Sequence, residues 1–510
     1  VTSEDLQRCT RVLEAIAADC LLISGLANED RLRLLMAAGQ VVRPDKDQVR
    51  RRIRALRREK HDAKRAKDRA IRATTRIRTT RADSVFVAPP RLVDSSASAR
   101  PDAGAEDLRV PRFCYICKAE YTRVHHFYDA LCPPCAEFNY EKRFQTCSLK
   151  GRVALITGAR LKIGYQAALM MLRAGARVIV TTRFPQDSAI RYSREHDFRD
   201  WRDRLEVYGL DLRHSPSVEA FTRFIDRRYD RLDILINNAA QTVRRPPGFY
   251  SHMMELENRA HQELPPEAQA LLQGHEECKA ALCGDGDPGA GEGANWISEW
   301  HAGKLAAPGV RASAQLSQIP YACDEGARDP ALFPAGRLDA DLQQVDLRSM
   351  NSWRMTLADV PTSELLEVQL VNSIAPFILC SKLKPLMLRD RTDQKHVVNV
   401  SAMEGKFNRH TKTDKHPHTN MAKAALNMMT LTSARDYAKD GIFMNAVDTG
   451  WVTDEDPAEL SARKVRDHDF QPPLDIVDGA ARVIDPIFSG LLTGNHCWGN
   501  FLKDYVPTEW

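Results

Sequence analysis

Apolar positions change their spacing several times along the 510 residues of this chain. In residues 3–42 they recur at helical intervals: Leu6, Cys9, Leu13 and Ile16 share a stripe, and Asn28 before Glu29-Asp30 is a cap-like start for a second helix. This predicts a small helical module over residues 1–45. Residues 46–81 keep only a narrow stripe (Val49, Ile53, Leu56) in a basic background, the pattern of a long solvated helix. From 82 to 110 Pro, Ser, Ala and Asp accumulate and periodicity vanishes, which marks a flexible linker. A cysteine-containing segment, 111–147, follows. From Gly151 short apolar runs alternate with helical stretches: strands at 153–156, 177–180, 205–208 and 232–236, with a helix after Gly164. Strands apolar on both faces, separated by helices, build a parallel sheet covered on both sides. Residues 148–510 are therefore expected to be α/β, a doubly wound Rossmann-type sheet. The alternation stops over 241–360, which includes a Gly-rich patch at 284–293. It resumes with a helix at 363–387, a strand at 397–400, a helix from about Asn420, a strand at 443–447 and a final helix near 475–487. Residues 241–360 thus read as an insertion into one crossover, beside the place a substrate would take.

Composition sharpens this picture in three places. With 43% hydrophobic residues the chain can bury a substantial core. It has no apolar run of 18 residues, and Val1-Thr2-Ser3-Glu4-Asp5 lacks a basic-then-apolar pattern, so a cytoplasmic protein with no membrane association is expected. The net charge of +5 conceals an asymmetry: residues 50–81 hold fifteen Lys/Arg against Glu59, Asp62 and Asp68. Such an arm suits a protein or nucleic-acid partner; a solvated helix or an acidic protein surface is the commoner use, and no interleaved aromatics favour single strands.

Four of the twelve cysteines fall in Cys114-x2-Cys117-x14-Cys132-x2-Cys135. Two knuckles at this spacing close on one tetrahedral ion, and four thiolates favour a structural zinc because they leave no coordination position open. His125 and His126, between the pairs, are alternative ligands that a full cysteine set makes unnecessary.

The first strand runs into Thr157-Gly158-Ala159-Arg160-Leu161-Lys162-Ile163-Gly164, which then opens a helix. Glycines there let the backbone approach a pyrophosphate, and the helix N-terminus stabilises its charge. Further matches follow in order: Asp211-Leu212 after the third strand, Asn237-Asn238-Ala239-Ala240 after the fourth, and Thr453 three residues after Gly450. Together these motifs resemble the short-chain dehydrogenase/reductase family over residues 148–500. Lys162 replaces the middle glycine of the family loop, as an arginine does in the pteridine reductase branch, and Thr449 replaces the proline of its Pro-Gly-x-x-Thr. The resemblance implies that Gly158, Arg160, Lys162, Ile163 and Gly164 hold the cofactor phosphates, Asp211 and Leu212 the adenine end, Asn238 and Ala239 the central turn, and Thr453 the carboxamide. At the end of the second strand, where an NAD-selective site places a carboxylate, stands Arg183. A guanidinium suits a 2′-phosphate, so NADP(H) is expected ahead of NAD(H).

The resemblance weakens at the chemistry. It implies a Tyr made more acidic by a Lys four residues later, with a Ser and an Asn assisting. Lys423 and Asn372 are present, but Thr419 stands in the Tyr place and Ala402 in the Ser place. The enoyl reductase branch carries its Tyr seven residues before the Lys, where this chain has His416, with His418 close by; Ser401, Glu404, His410 and Thr419 could complete such a centre. Two functions follow as expectations. One is an atypical NADP(H)-dependent oxidoreductase acting on a small molecule, in which Lys423 positions the ribose, Asn372 holds the helix and a histidine supplies the proton. The other is a catalytically silent NADP(H)-binding scaffold whose N-terminal modules bind partners. Gly499-Asn500-Phe501-Leu502-Lys503-Asp504-Tyr505 departs from the family's usual C-terminal edge, so a homodimer is expected in place of the family tetramer.

Overall fold

Runs buried at every position, such as Val153-Ala154-Leu155-Ile156-Thr157, become the inner strands of a sheet that no face of which meets water. The computed structural model describes residues 1–89, 107–282, 307–321, 324, 326, 328–408 and 412–510. The Gly-rich patch at 284–293, most of the expected linker and His410 lie outside them. Two short strands, β1 (Arg112–Phe113) and β2 (Glu120–Tyr121), pair antiparallel. The main sheet is built from β3 (Val153–Thr157), β4 (Arg177–Thr182), β5 (Leu205–Gly209), β6 (Ile234–Asn237), β7 (Lys395–Ser401), β8 (Ile442–Asp448), β9 (Phe501–Lys503) and β10 (Val506–Thr508). Their order is β10-β9-β8-β7-β6-β3-β4-β5, parallel throughout except for β10 at the edge. Strand order reverses between β3 and β6, and the crevice above that point is where an open α/β sheet takes a ligand.

Helices cover both faces. Lys162–Arg173, Pro185–Ser193 and Ile476–Thr493 pack on one, around Ile156, Val180, Val398 and Ile484; Ser215–Arg228, Ala375–Leu388 and Pro417–Lys439 pack on the other, around Leu155, Ile179, Phe221 and Leu383. The stretch Thr362–Leu388 is long and apolar enough to cross a membrane by length and composition, yet 50% of its most apolar window is buried within the fold. It is interrupted by a π-helical turn, Leu370–Ile374, that contains Asn372.

The insertion leaves β6 and returns at Thr362–Gln369. Its helix Pro266–Ala281 runs beside the edge strand β5, so closely that a Cβ on Gly274 would come within 2.4 Å of the Tyr208 hydroxyl. His275 Nδ1 accepts the backbone N–H of Gly209 at 3.3 Å, and Gly309 O accepts that of Asp211 at 2.7 Å. An edge that would otherwise expose unpaired backbone is thereby covered.

The chain forms two compact units, one of residues 1–70 with 108–110 and one of 71–107 with 111–510. The first contains helices Ser3–Ala18 and Asn28–Val42, neither with a buried residue, and most of Lys46–Ala73; Asp68 accepts the backbone N–H groups of Arg109 and Val110 at 2.7 and 3.0 Å. The basic helix expected over 46–81 is in fact two. It breaks at Thr74-Thr75, whose hydroxyls turn back onto the carbonyls of Ile71 and Arg72, and a second helix runs over Arg76–Ala82. On either side of the break three cations turn inward, while Arg76 stays exposed. Arg78 binds Asp129 and Asp469, both at 2.7 Å, Arg72 binds Asp469 at 2.5 Å, and Arg81 reaches the carbonyls of Pro472 and Leu474 at 2.6 and 2.7 Å. These three are not available to a partner, which leaves the exposed cations of residues 50–69 and Arg76.

Candidate functional site

At the switch point the loop after β3 and the turn after β6 are stitched together. Thr157 Oγ1 accepts the backbone N–H groups of Asn238 and Ala239 at 3.1 and 3.0 Å, and Asn238 Nδ2 donates to the carbonyls of Thr157 and Gly158 at 3.0 and 3.1 Å. Gly158 takes φ +66°, and a Cβ there would lie 2.7 Å from Ala239 Cα. A Cβ on Gly164 would meet Asn238 Nδ2 at 2.4 Å and Gly158 O at 2.5 Å. Lys162 adopts φ +54° at the position where the family motif has its middle glycine, so lysine here carries the strain glycine would avoid. Helix Lys162–Arg173 begins at this loop, and its first residues, Lys162, Ile163 and Gly164, line the crevice, where the free N–H groups of a helix start lie.

Above the stitch lies a cavity of about 390 Å³. Its lining includes Gly158, Arg160, Lys162, Ile163, Gly164, Arg183, Asp211, Leu212, Asn238, Ala239 and Thr453. The insertion supplies a further wall from Thr242, Arg245, Phe249, Tyr250 and Gln343, with Glu455 beside Thr453. Sequence alone did not single these out. The one signal was local: Pro246-Pro247 close behind the Asn-Asn-Ala-Ala turn fixes a helix start there, and so brings Phe249 and Tyr250 back over the crevice.

The cations around the cavity differ in availability. Arg160 is buried and paired with Asp187 at 2.7 Å; burial pushes its guanidinium down, against the pull of Asp187. It shapes the loop, and its charge is already balanced. Lys162 stands 4.0 Å from Asp341 and is a third exposed. Arg183 has no carboxylate partner among the described residues; its Nη2 donates to Tyr250 Oη at 2.7 Å. Asp211 is grasped by Arg213, which is also bound to Glu367 at 2.7 Å; burial pushes Asp211 up, but Arg213 holds it below the ordinary carboxylate value.

The expected catalytic residues do not line this cavity. Lys423 is buried, and its Nζ donates to Val400 O at 2.8 Å; burial pushes it down to about 8, with Glu404 acting the other way. Asn372 Oδ1 accepts from Gln241 N at 3.0 Å while its Nδ2 donates to Gln241 O at 2.8 Å, so it ties the π-helical turn to the chain leaving β6. His416 stacks on Trp353 of the insertion, centroids 3.9 Å apart, and its backbone N–H donates to Met355 O at 2.9 Å. His418 is buried, and burial and then His416 push it down to about 4, so near neutral pH it is an uncharged imidazole with little capacity to give up a proton. Thr419 is buried, with its hydroxyl 3.5 Å from Thr242 O. Ser401 donates to Asn427 Oδ1 at 2.5 Å. Insertion residues bridge the rims of this region: Asn351 Nδ2 donates to Glu455 O at 2.9 Å on one side, and Trp353 and Met355 hold His416 on the other.

Lys423 carries a stability consequence. Its folded pKa of about 8 lies below the ordinary 10.5, so between those values the folded state binds fewer protons and stability rises with pH. Below pH 8 the cost of a buried ammonium is fully expressed. Lys423→Met is expected to stabilise the fold at pH 7 by about 2 kcal/mol after allowing for the lost bond to Val400, an advantage that fades from pH 8 to 10.5. Thermal melts of both proteins across that range check it.

Away from the cavity four thiols converge. Cys114 and Cys117 sit in the turn between β1 and β2, where Lys118 takes φ +64° and Cys114 N donates to Ala119 O at 2.9 Å. Cys132 caps helix Pro133–Lys142, with Cys135 in its first turn. The four Sγ atoms lie within 4.8 Å of one another. This module is pinned to helix Ile476–Thr493: Arg143 reaches Asp475 and Asp478 at 2.6 and 2.8 Å, Tyr128 also binds Asp478, and Arg482 reaches Asn139 at 2.7 Å. Tyr115 Oη accepts the backbone N–H of Trp451 at 3.0 Å, at the start of the segment that carries Thr453.

Residues 152–258 match a family model described as short chain dehydrogenase, and residues 337–471 one described as enoyl-(acyl carrier protein) reductase. An uncharacterized protein of Acanthamoeba polyphaga mimivirus is 31% identical over 390 residues, 74% of this chain and 71% of that protein. Human dehydrogenase/reductase SDR family member 13 is 36% identical over 109 residues; that match takes in 21% of this chain and only 26% of the human protein. Among solved structures, the short chain dehydrogenase of Shigella flexneri is 15% identical with a TM-score of 0.40, over 72% of this chain and 99% of that one.

Proposed function

Because the chain belongs to the short-chain dehydrogenase/reductase superfamily, we propose that it is an NADP(H)-dependent oxidoreductase of atypical type that acts on a small-molecule substrate. The observation that carries this reading is the cavity over the β3–β6 switch point, with a glycine loop on one side and Arg183, a cation without a carboxylate partner among the described residues, on the other. Gly158, Lys162 and Gly164 would hold the pyrophosphate, Arg183 a 2′-phosphate, Leu212 and Asp211 the adenine end, and Thr453 the carboxamide. NAD(H) fits less well, since no carboxylate stands at Arg183 to accept from a ribose hydroxyl pair. The bound nicotinamide supplies hydride transfer. For the accompanying proton the chain offers no phenol at Thr419 and a neutral His418, so Lys423, held near 8 by burial, is the group whose proton affinity suits the task. The four thiols suit a tetrahedral zinc with a structural role.

A second reading is favoured by one observation: Lys423, Asn372, His416, His418 and Thr419 all lie outside the cavity lining, behind a rim bridged by Asn351–Met355. In that reading the chain binds NADP(H) and performs no chemistry. Titration of the purified protein with NADPH and NADH by fluorescence, followed by incubation with carbonyl and enoyl substrates, separates the two. NADPH oxidation that drops at least about tenfold in Lys423→Met supports the enzyme. Tight NADPH binding with no turnover on any substrate supports the scaffold, and failure to bind either cofactor removes both.

A further inference from the structure

We propose that Tyr250, contributed by the insertion, is a specificity-determining residue that holds Arg183 in place to receive a 2′-phosphate, so that the insertion and not the Rossmann core alone selects the cofactor. The inference rests on the NADP(H) reading above and deepens it.

An arginine at the end of a strand is a long, mobile side chain, and its selectivity depends on its donors being aimed before the ligand arrives. Here the insertion holds Arg183 at both ends. Ser313 Oγ donates to its backbone carbonyl at 2.9 Å, and Tyr250 Oη accepts from its Nη2 at 2.7 Å. The guanidinium carbon also lies 4.8 Å from the Tyr250 ring centroid and 5.6 Å from that of Phe184. Those two rings are themselves buried and 5.1 Å apart. A guanidinium carries five donors, of which the phenol takes one. Because Tyr250 Oη is an acceptor in this bond, its own proton remains to be donated, which adds a neutral donor beside a cation. Arg183, Phe184 and Tyr250 all line the cavity. No carboxylate of the described residues forms an ion pair with Arg183 as Asp187 does with Arg160; Asp211, which feels the Arg183 charge, is itself held by Arg213, so the remaining donors of Arg183 stay open to a ligand.

The test is calorimetric titration of the full chain with 2′,5′-ADP and with 5′-ADP, in the parent protein, Tyr250→Phe and Arg183→Met. In Tyr250→Phe, which keeps the ring, the dissociation constant for 2′,5′-ADP is expected to rise about five- to tenfold while that for 5′-ADP moves less than about twofold. The ratio of the two constants is the readout, because a merely structural role would weaken both probes together. Equal weakening, or an unchanged ratio in Tyr250→Phe while Arg183→Met loses its preference, overturns the role of Tyr250 and leaves the cofactor reading standing. A preference that survives in Arg183→Met overturns both.

Discussion

Gly164→Ala is expected to weaken NADPH binding by at least about a hundredfold, close to 3 kcal/mol, from the addition of one methyl group. The new Cβ would lie 2.4 Å from Asn238 Nδ2 and 2.5 Å from Gly158 O, distances that carbon atoms do not sustain. Two responses are open to the protein. Asn238 can swing away, in which case the carbonyls of Thr157 and Gly158 lose the donor that fixes the loop against the turn after β6. Otherwise helix Lys162–Arg173 can retreat, which withdraws its N-terminal N–H groups from the pyrophosphate. Overpacking of this kind also costs about 1–3 kcal/mol of fold stability, so melting and titration are read together. Gly39→Ala is the control, since nothing lies within 4 Å of a Cβ there. An unchanged dissociation constant for NADPH in Gly164→Ala would mean that the dinucleotide does not lie on this loop.

The same loop illustrates what a sequence can disclose. The loop from Gly158 to Gly164 is written in contiguous residues because a strand, a tight turn and a helix start must follow one another within eight positions. The inner strands are legible for a related reason: a strand buried on both faces must be apolar at every position, as residues 153–156 are. Features fixed by distant partners are not legible in this way. Arg160 counts as a cation near the phosphates until the fold brings Asp187 to it across 27 residues. Arg72, Arg78 and Arg81 read as part of a run of solvated charges until the fold brings Asp129, Asp469 and the carbonyls of Pro472 and Leu474 to them. The insertion has no periodicity to read because its helices are specified by what they cover, the β5 edge and the cavity rim. β9 and β10 are too short for a pattern, and the turn between them rests on Asp504 and Tyr505, both with positive φ. A candidate proton donor is harder still to read, since His416 and His418 lie close in sequence to Lys423 while their rings are held by Trp353 and by burial.

Cys117→Ser is expected to lower the melting temperature by about 10 °C or more and to remove one bound zinc per chain, measured by elemental analysis. Cys117 is exposed, so apart from a metal its replacement by an isosteric hydroxyl should change stability by no more than about 0.5 kcal/mol. The segment from β1 to helix Pro133–Lys142 is too small to fold on its own core of Phe127, Tyr128, Leu131 and Tyr140, and a structural ion at the four thiols would supply what that core lacks. If the module opens, Arg143 leaves Asp475 and Asp478, and an uncompensated buried charge of this kind costs about 3–5 kcal/mol. The loss should reach the cavity. Tyr115 releases the backbone of Trp451, and the segment that carries Thr453 gains freedom, so NADPH should bind more weakly in Cys117→Ser even below the melting transition. Wild-type melting and wild-type NADPH affinity in Cys117→Ser would show that the stability of the module does not depend on a metal at the four thiols and that the metal does not brace the segment carrying Thr453.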